Sequence, residues 1–151
     1  LVRKARIADV PTIRELISHY SAKGDMLPKA LIEIYEELRD FFVYTDGDDK
    51  VLGCCALHLF WEDLAEIRSL AVKESDKGAG IGTTLVDACL GEARELGIAK
   101  IFTLSSKPAF FAKQGFDEVD RSELPHKIWA ACVKCAKFPD CDETALVQML
   151  K

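Results

Sequence analysis

Val10, Ile13, Leu16, Ile17 and Tyr20 recur at three- and four-residue intervals, which lays one apolar stripe along a helix. Asp9 ahead of the stripe is a predicted N-cap, and Pro11 suits the first turn. Upstream, residues 2–7 alternate apolar and basic side chains, the period of a half-buried strand. Leu31, Ile34, Tyr35 and Leu38 predict a second helix starting near Pro28. The period then falls to two. Residues 41–45 and 51–61 flank Asp46-Gly47-Asp48-Asp49 and predict an antiparallel hairpin, and residues 64–72 predict another strand. Ile81, Leu85, Cys89, Ala93 and Leu96 form the apolar face of a long helix that stops at Gly97. Further on, the pattern predicts a short buried strand over 100–104, a short helix over 108–114 and a strand over 116–120. A helical turn or two over 125–133 and a closing strand over 144–150 complete the chain. Strands and helices mix without regular βαβ alternation, so the expected fold is a mixed α/β sheet flanked by helices, not a doubly wound one.

At 151 residues the chain is long enough for one domain with a real core. No repeat or linker divides it, so one domain over residues 1–151 is expected. With 49% apolar and 30% charged residues it has a globular composition rather than a disordered one. A net charge of −5 sets it against non-specific nucleic-acid binding, which needs many phosphate-facing cations. No apolar run is long enough to span a bilayer, and the opening Leu1-Val2-Arg3-Lys4 has no signal-peptide core. A cytoplasmic protein acting on neither membrane nor nucleic acid is the expectation.

Lys77-Gly78-Ala79-Gly80-Ile81-Gly82 falls between a predicted strand and the long helix. Glycines there let backbone approach a ligand, and the helix start offers unpaired N–H groups to an anion. A diphosphate fits that geometry. A phosphate-binding P-loop would follow its glycine with Lys and Ser/Thr, but Gly82 leads directly to Thr83. A dinucleotide loop would read G-x-G-x-x-G after the first strand, whereas this is G-x-G-x-G in mid-chain. The remaining reading of the same residues is a glycine-rich turn with no ligand.

With the loop in place, the chain resembles the GNAT acetyltransferases, whose cofactor signature is a strand followed by Arg/Gln-x-x-Gly-x-Gly/Ala opening a helix. Lys77 stands in the usual Arg position. Ala65-Glu66-Ile67-Arg68-Ser69-Leu70-Ala71-Val72 is similar to the strand before that loop, and Phe110-Phe111-Ala112-Lys113-Gln114-Gly115-Phe116 to the downstream helix-to-strand segment. The resemblance implies the GNAT fold, a mostly antiparallel central sheet of about seven strands flanked by helices, with acetyl-CoA as co-substrate. It implies that the backbone of Leu70, Ala71 and Val72 pairs with the pantetheine arm. It also implies that the amides of Lys77, Gly78, Ala79, Gly80, Ile81, Gly82 and Thr83 bind the pyrophosphate.

Within that family, Leu27-Pro28-Lys29, Asp40-Phe41-Phe42-Val43, Gly53-Cys54-Cys55-Ala56-Leu57 and Leu124-Pro125-His126-Lys127 resemble the acetyltransferase domains of N-acetylglutamate synthases. Larger members carry a kinase-type domain ahead of this one, so the chain reads as a stand-alone form or a fragment. The resemblance implies L-glutamate as acceptor and a place in arginine biosynthesis. Two carboxylates ask for cations, and Lys29, Arg68 and Lys127 are the candidates, with Ser69 beside them; surface solvation is the other reading of each. The ammonium must lose a proton before it attacks a thioester. Glu66 is the candidate acceptor of that proton. Family members often use a Tyr near Phe110-Phe111 as acid for the departing thiolate, and none is present there. Either Ser105 or Ser106 takes that role, or the thiolate leaves unaided.

Cys54, Cys55 and Cys89 lie in apolar segments and read as small core residues. Cys132, Cys135 and Cys141, with His126, offer four zinc ligands at a spacing that matches no standard finger; reduced cysteines in a packed tail fit equally. No metal is therefore assigned. The rival functions are acetylation of another small amine or a protein amino terminus, and a non-catalytic acyl-CoA-binding or redox-sensing module using the cysteine cluster. A small amino acid is the expected partner, and a homo-oligomer is compatible with the sequence.

Overall fold

The computed structural model describes residues 1–125, 128 and 143–150. Seven strands form one sheet: β1 (Val2–Lys4), β2 (Phe41–Thr45), β3 (Val51–Trp61), β4 (Leu64–Val72), β5 (Lys100–Ser105), β6 (Asp117–Val119) and β7 (Thr144–Met149). Their order is β1-β2-β3-β4-β5-β7-β6, and only the β4–β5 pair is parallel. The helices whose bounds lie within the described residues are α1 (Val10–Ala22), α2 (Leu31–Glu36), α3 (Ile81–Leu96) and α4 (Pro108–Lys113). This is the expected mixed α/β sheet.

Alternation along β3 assigns the two faces. Cys54 and Ala56 join Val10, Ile13, Ile17 and Ile34 of α1 and α2 in one apolar cluster. Cys55 and Leu57 join Ile81, Leu85, Cys89 and Ala93 of α3 in another. The α1 stripe is buried at all five predicted positions, and α3 ends where expected, with Gly97 at φ 83°. Cys54, Cys55 and Cys89 are buried free thiols, as their apolar surroundings predict.

Several local expectations shift. Asp9 does not cap α1 with its side chain; its carboxylate instead accepts from Arg3 (2.7 and 3.0 Å) and from the Arg6 N–H (2.7 Å). The arginine fork outcompetes the helix amides because a bidentate charged pair is stronger than a neutral cap. β1 ends at Lys4 rather than at residue 7. The second helix begins at Leu31, three residues after Pro28, where the Glu33 carboxylate accepts the Ala30 N–H at 2.8 Å. The helix expected over 125–133 lies almost wholly outside the described residues, as do His126, Lys127, Cys132, Cys135 and Cys141.

β4 is not the regular strand that its alternation predicts. Arg68 pairs with Ala56 and Ala71 with Cys54, so Ser69 and Leu70 together oppose Cys55. This is a β-bulge, and Ser69 sits at φ 58°, a region that a non-glycine residue enters at a cost. The extra residue flips the strand's parity: Ala71 returns to the α1 face, while Leu70 and Val72 turn toward α3. The bulge also bends β4 away from β5. Their parallel ladder runs only from Leu64↔Lys100 to Glu66↔Phe102, and a single buried side-chain bond continues it, from Thr103 Oγ1 to the Ile67 carbonyl at 2.8 Å.

Candidate active site

Beyond that bond the two strands part and leave a cavity of about 510 Å³, within the usual range for small-molecule sites. Residues 67–72 of β4 form one wall and residues 103–107 the other. The glycine loop closes one end through Lys77, Gly78, Gly80, Ile81, Gly82 and Thr83, while Ala79 does not line the cavity. Phe110, Phe111, Tyr20 and Met26 supply much of the apolar lining.

The loop is shaped to present amides. Gly78 and Gly80 have φ of 87° and 81°, which turn the chain sharply into α3 without a side chain to strain. Thr84 makes the first intrahelical bond, its N–H to the Gly80 carbonyl at 3.0 Å. The amides of Ile81, Gly82 and Thr83 therefore lack helical partners and sit at the positive end of a 16-residue helix. Gly82 packs closely as well: a Cβ there would approach the Phe110 ring to 3.3 Å, and the ring would have to give by a few tenths of an ångström. Such an end suits a diphosphate.

Lys77 does not extend freely from this loop. Its ammonium lies 2.9 Å from Glu74 and 4.6 Å from the centre of the Tyr20 ring. Glu74 also receives Lys23 and lies 3.3 Å from His19, contacts that hold its carboxyl far below the usual range, led by Lys23. The Tyr20 hydroxyl donates to the Val72 carbonyl, which fastens α1 to the end of β4 beside the cavity. Sequence periodicity marked Tyr20 only as a core position; its second role needs β4 beside it.

Lys29, Glu66 and Arg68 gather on the sheet face that carries α1 and α2. Glu66 and Arg68 lie there between two apolar clusters, one built on α1 and α2, the other on Leu64, Phe102, Leu124 and Val147. Lys29 Nζ and Arg68 Nη2 both reach Glu37 Oε1, at 2.7 and 3.0 Å. Burial alone would raise the Glu37 carboxyl, but the Lys29 and Arg68 charges bring it below its ordinary value. Arg68 Nη1 lies 3.6 Å from Glu66 Oε1. Its Nε is buried and has no acceptor among the described residues, a donor beside the cavity that Arg68 also lines. Burial pushes the Glu66 carboxyl up to about 7, against the pull of Arg68 and His58.

The structure thus brings Lys29, Glu66 and Arg68 together, with Arg68, Ser69 and Ser105 lining the cavity. Glu66 and Lys29 are not among the residues that line it. Ser105 Oγ accepts the Lys107 N–H at 2.9 Å, and Ser106 lines the cavity beside it. Sequence reasoning missed Glu37, Asp40 and His58. His58 Nδ1 lies 2.8 Å from Asp40 Oδ2, and His58 is the cross-strand partner of Glu66. The strand register places His58, and the path of the segment after α2 brings Glu37 and Asp40; acidic residues near a helix end are ordinary in sequence.

Residues 11–116 match the model of the acetyltransferase (GNAT) family. The chain is 40% identical to an uncharacterized N-acetyltransferase of Chlorobaculum tepidum over 99% of its own length and 96% of that protein's. It is also 40% identical to an amino-acid acetyltransferase of Mycobacterium tuberculosis, over 85% of this chain and 75% of that one. Among solved structures, the N-acetylglutamate synthase of Neisseria gonorrhoeae complexed with coenzyme A and N-acetyl-glutamate superposes with a TM-score of 0.92 at 27% identity. That match spans the whole of this chain and 35% of the synthase.

Proposed function

We propose that this chain, which belongs to the GNAT acetyltransferase family, transfers acetyl from acetyl-CoA to the α-amine of L-glutamate. The observation that carries the acceptor is the buried Arg68 Nε, unpaired among the described residues, in a cluster where Lys29 and Arg68 supply positive charge and burial raises the Glu66 carboxyl to about 7. The named relatives, an amino-acid acetyltransferase and an N-acetylglutamate synthase, support the same choice. The place in arginine biosynthesis follows from that acceptor.

The roles follow from position. The Ile81, Gly82 and Thr83 amides hold the pyrophosphate, and the free edge of Leu70, Ala71 and Val72 receives the pantetheine arm where β5 has turned away. Arg68 takes a glutamate carboxylate on Nε, with Ser69 beside it, while Lys29 fixes Glu37 against Arg68. Lys127 remains a candidate for the second carboxylate. Glu66 receives the ammonium proton; a carboxylate titrating near 7 is well matched to that exchange at neutral pH. The amine nitrogen then bonds to the thioester carbonyl carbon as the carbon–sulfur bond breaks, and the thiolate takes a proton from Ser105, Ser106 or solvent.

One observation favours a second reading. Glu37 already engages both Lys29 and Arg68, so an acceptor with fewer carboxylates, another small amine or a protein amino terminus, would leave that pairing undisturbed. Thiol release from acetyl-CoA against a panel of free amino acids separates the two. Glutamate should turn over fastest and glutamine poorly; equal rates would refute recognition of the γ-carboxylate.

A further inference from the structure

Glu37, Asp40 and His58 present three ligand-type atoms within 4.8 Å of one another. A divalent cation is a poor occupant, because Lys29 and Arg68 already place two positive charges on Glu37. The same groups make better sense as a proton path. The Asp40 carboxylate accepts only, so His58 Nδ1, 2.8 Å away, carries the hydrogen and Nε2 is left as a proton acceptor. Asp40 thereby does for His58 what an orienting carboxylate does in other acid–base pairs: it fixes tautomer and ring angle. The Phe60 ring, edge-on at 5.2 Å between centroids, holds the other side of the imidazole. Directly cross-strand residues have Cβ atoms about 4.5–5.5 Å apart. His58 and Glu66 form such a pair.

Glu66 poses a problem that His58 answers. A base that takes the ammonium proton each turnover must lose it again, and Glu66 is held largely out of water between two apolar clusters. His58 is more open, with 31% of its side-chain surface exposed. We propose that His58, oriented by Asp40, is a positioning and relay residue that receives the proton from Glu66 and passes it to solvent. This rests on the acetyl-transfer reading. The proton balance is simple: the ammonium N–H bond breaks onto Glu66, the Glu66 O–H breaks onto an intervening water that gives one of its own protons to His58 Nε2, and the imidazolium releases its proton to bulk water. The charged groups around His58 are Asp40 ahead of β2, Glu66 and Arg68 on β4, Glu37 and Lys29 flanking α2, and Glu143 ahead of β7. His58 and Arg68 both act to keep Glu66 ionised.

Two readouts test this. The first needs no substrate: carboxyl-carbon NMR of Glu66 and ring-nitrogen NMR of His58 across pH, in wild type, His58→Gln and Asp40→Asn. The proton should sit on Nδ1 in the neutral ring, and the Glu66 midpoint should rise in His58→Gln, because the imidazole, once protonated, pulls it down. A proton on Nε2, an unmoved Glu66 midpoint, or ring signals that change on adding a chelator would overturn the relay. The second readout is kinetic. His58→Gln should lower kcat at pH 7 about tenfold or more, move the acidic limb upward and leave the KM for acetyl-CoA unchanged. Free imidazole should restore part of the rate to His58→Ala. A variant that loses thermal stability but keeps the wild-type limb would show a structural role only and overturn the proposal. A wild type inactive on every amine would fail the acetyl-transfer reading, while the NMR arm would still decide the state of His58 and Glu66.

Discussion

Replacing Glu66 with glutamine should make the protein more stable and less active, with a stability gain that grows from about pH 4.5 and is complete above about pH 7. Burial raises the Glu66 carboxyl to about 7 from its ordinary 4.5. At 1.36 kcal/mol per pH unit, ionising Glu66 costs the fold about 3 kcal/mol once the pH is well above 7. A raised carboxyl pKa means the group contributes most below about 4.5, where it is protonated in both folded and unfolded chains. That contribution is lost as pH rises, and the loss is complete above about 7. Glutamine keeps the shape of the protonated carboxyl and never ionises. The variant should therefore match wild type near pH 4.5 and exceed it by about 3 kcal/mol at pH 8, or roughly 6–12 °C in Tm for a chain this size. Arg68 does not lose its only partner, since Glu37 stays 3.0 Å away. Over the same range kcat should fall by about 10²–10⁴-fold, the usual contribution of a general base. Denaturant melts at pH 5, 6, 7 and 8 beside kcat profiles check both halves. A stability difference that does not change with pH would refute the burial argument, and wild-type turnover at neutral pH would refute the role as base.

Three further outcomes follow from the same geometry. Gly80→Asp puts a side chain at φ 81° and a negative charge against the pyrophosphate amides, so calorimetry should show acetyl-CoA binding abolished; unchanged affinity with the fold intact would remove the loop assignment. Arg68→Ala should raise the KM for glutamate by about 1.5–3 kcal/mol, roughly 10- to 150-fold, with little change in acetyl-CoA affinity; steady-state kinetics on both substrates check it. Thr103→Val leaves the buried Ile67 carbonyl without its 2.8 Å donor at the point where β4 and β5 part, and should cost about 1–3 kcal/mol in denaturant melts.

The apolar periods by themselves determined most of the secondary structure. The stripes of α1 and α3 and the two-residue alternation of β2 and β3 are strong local signals, because burial on one face constrains every third or second residue. The conformation of the glycine loop was equally legible: positive φ at Gly78 and Gly80 favours glycine, and its place ahead of a long helix is the ground for proposing an anion there. The bulge at Ser69 was not legible, because nothing in Arg68-Ser69-Leu70 forbids a regular strand. Its cause is tertiary, in packing Ala71 against α1 and Val72 against α3. The partners of Glu66 and Arg68 were hidden for the same reason. Continuing the register from the Trp61↔Leu64 pair would set His58 opposite Ile67; an irregularity between Leu59 and Trp61 moves it opposite Glu66 instead. Glu37 and Asp40 enter the site only because the segment after α2 crosses this face of β3 and β4. A sequence period reports which side of an element is buried. Which charged groups share that side depends on one-residue shifts between strands, and those are decided only when the sheet assembles.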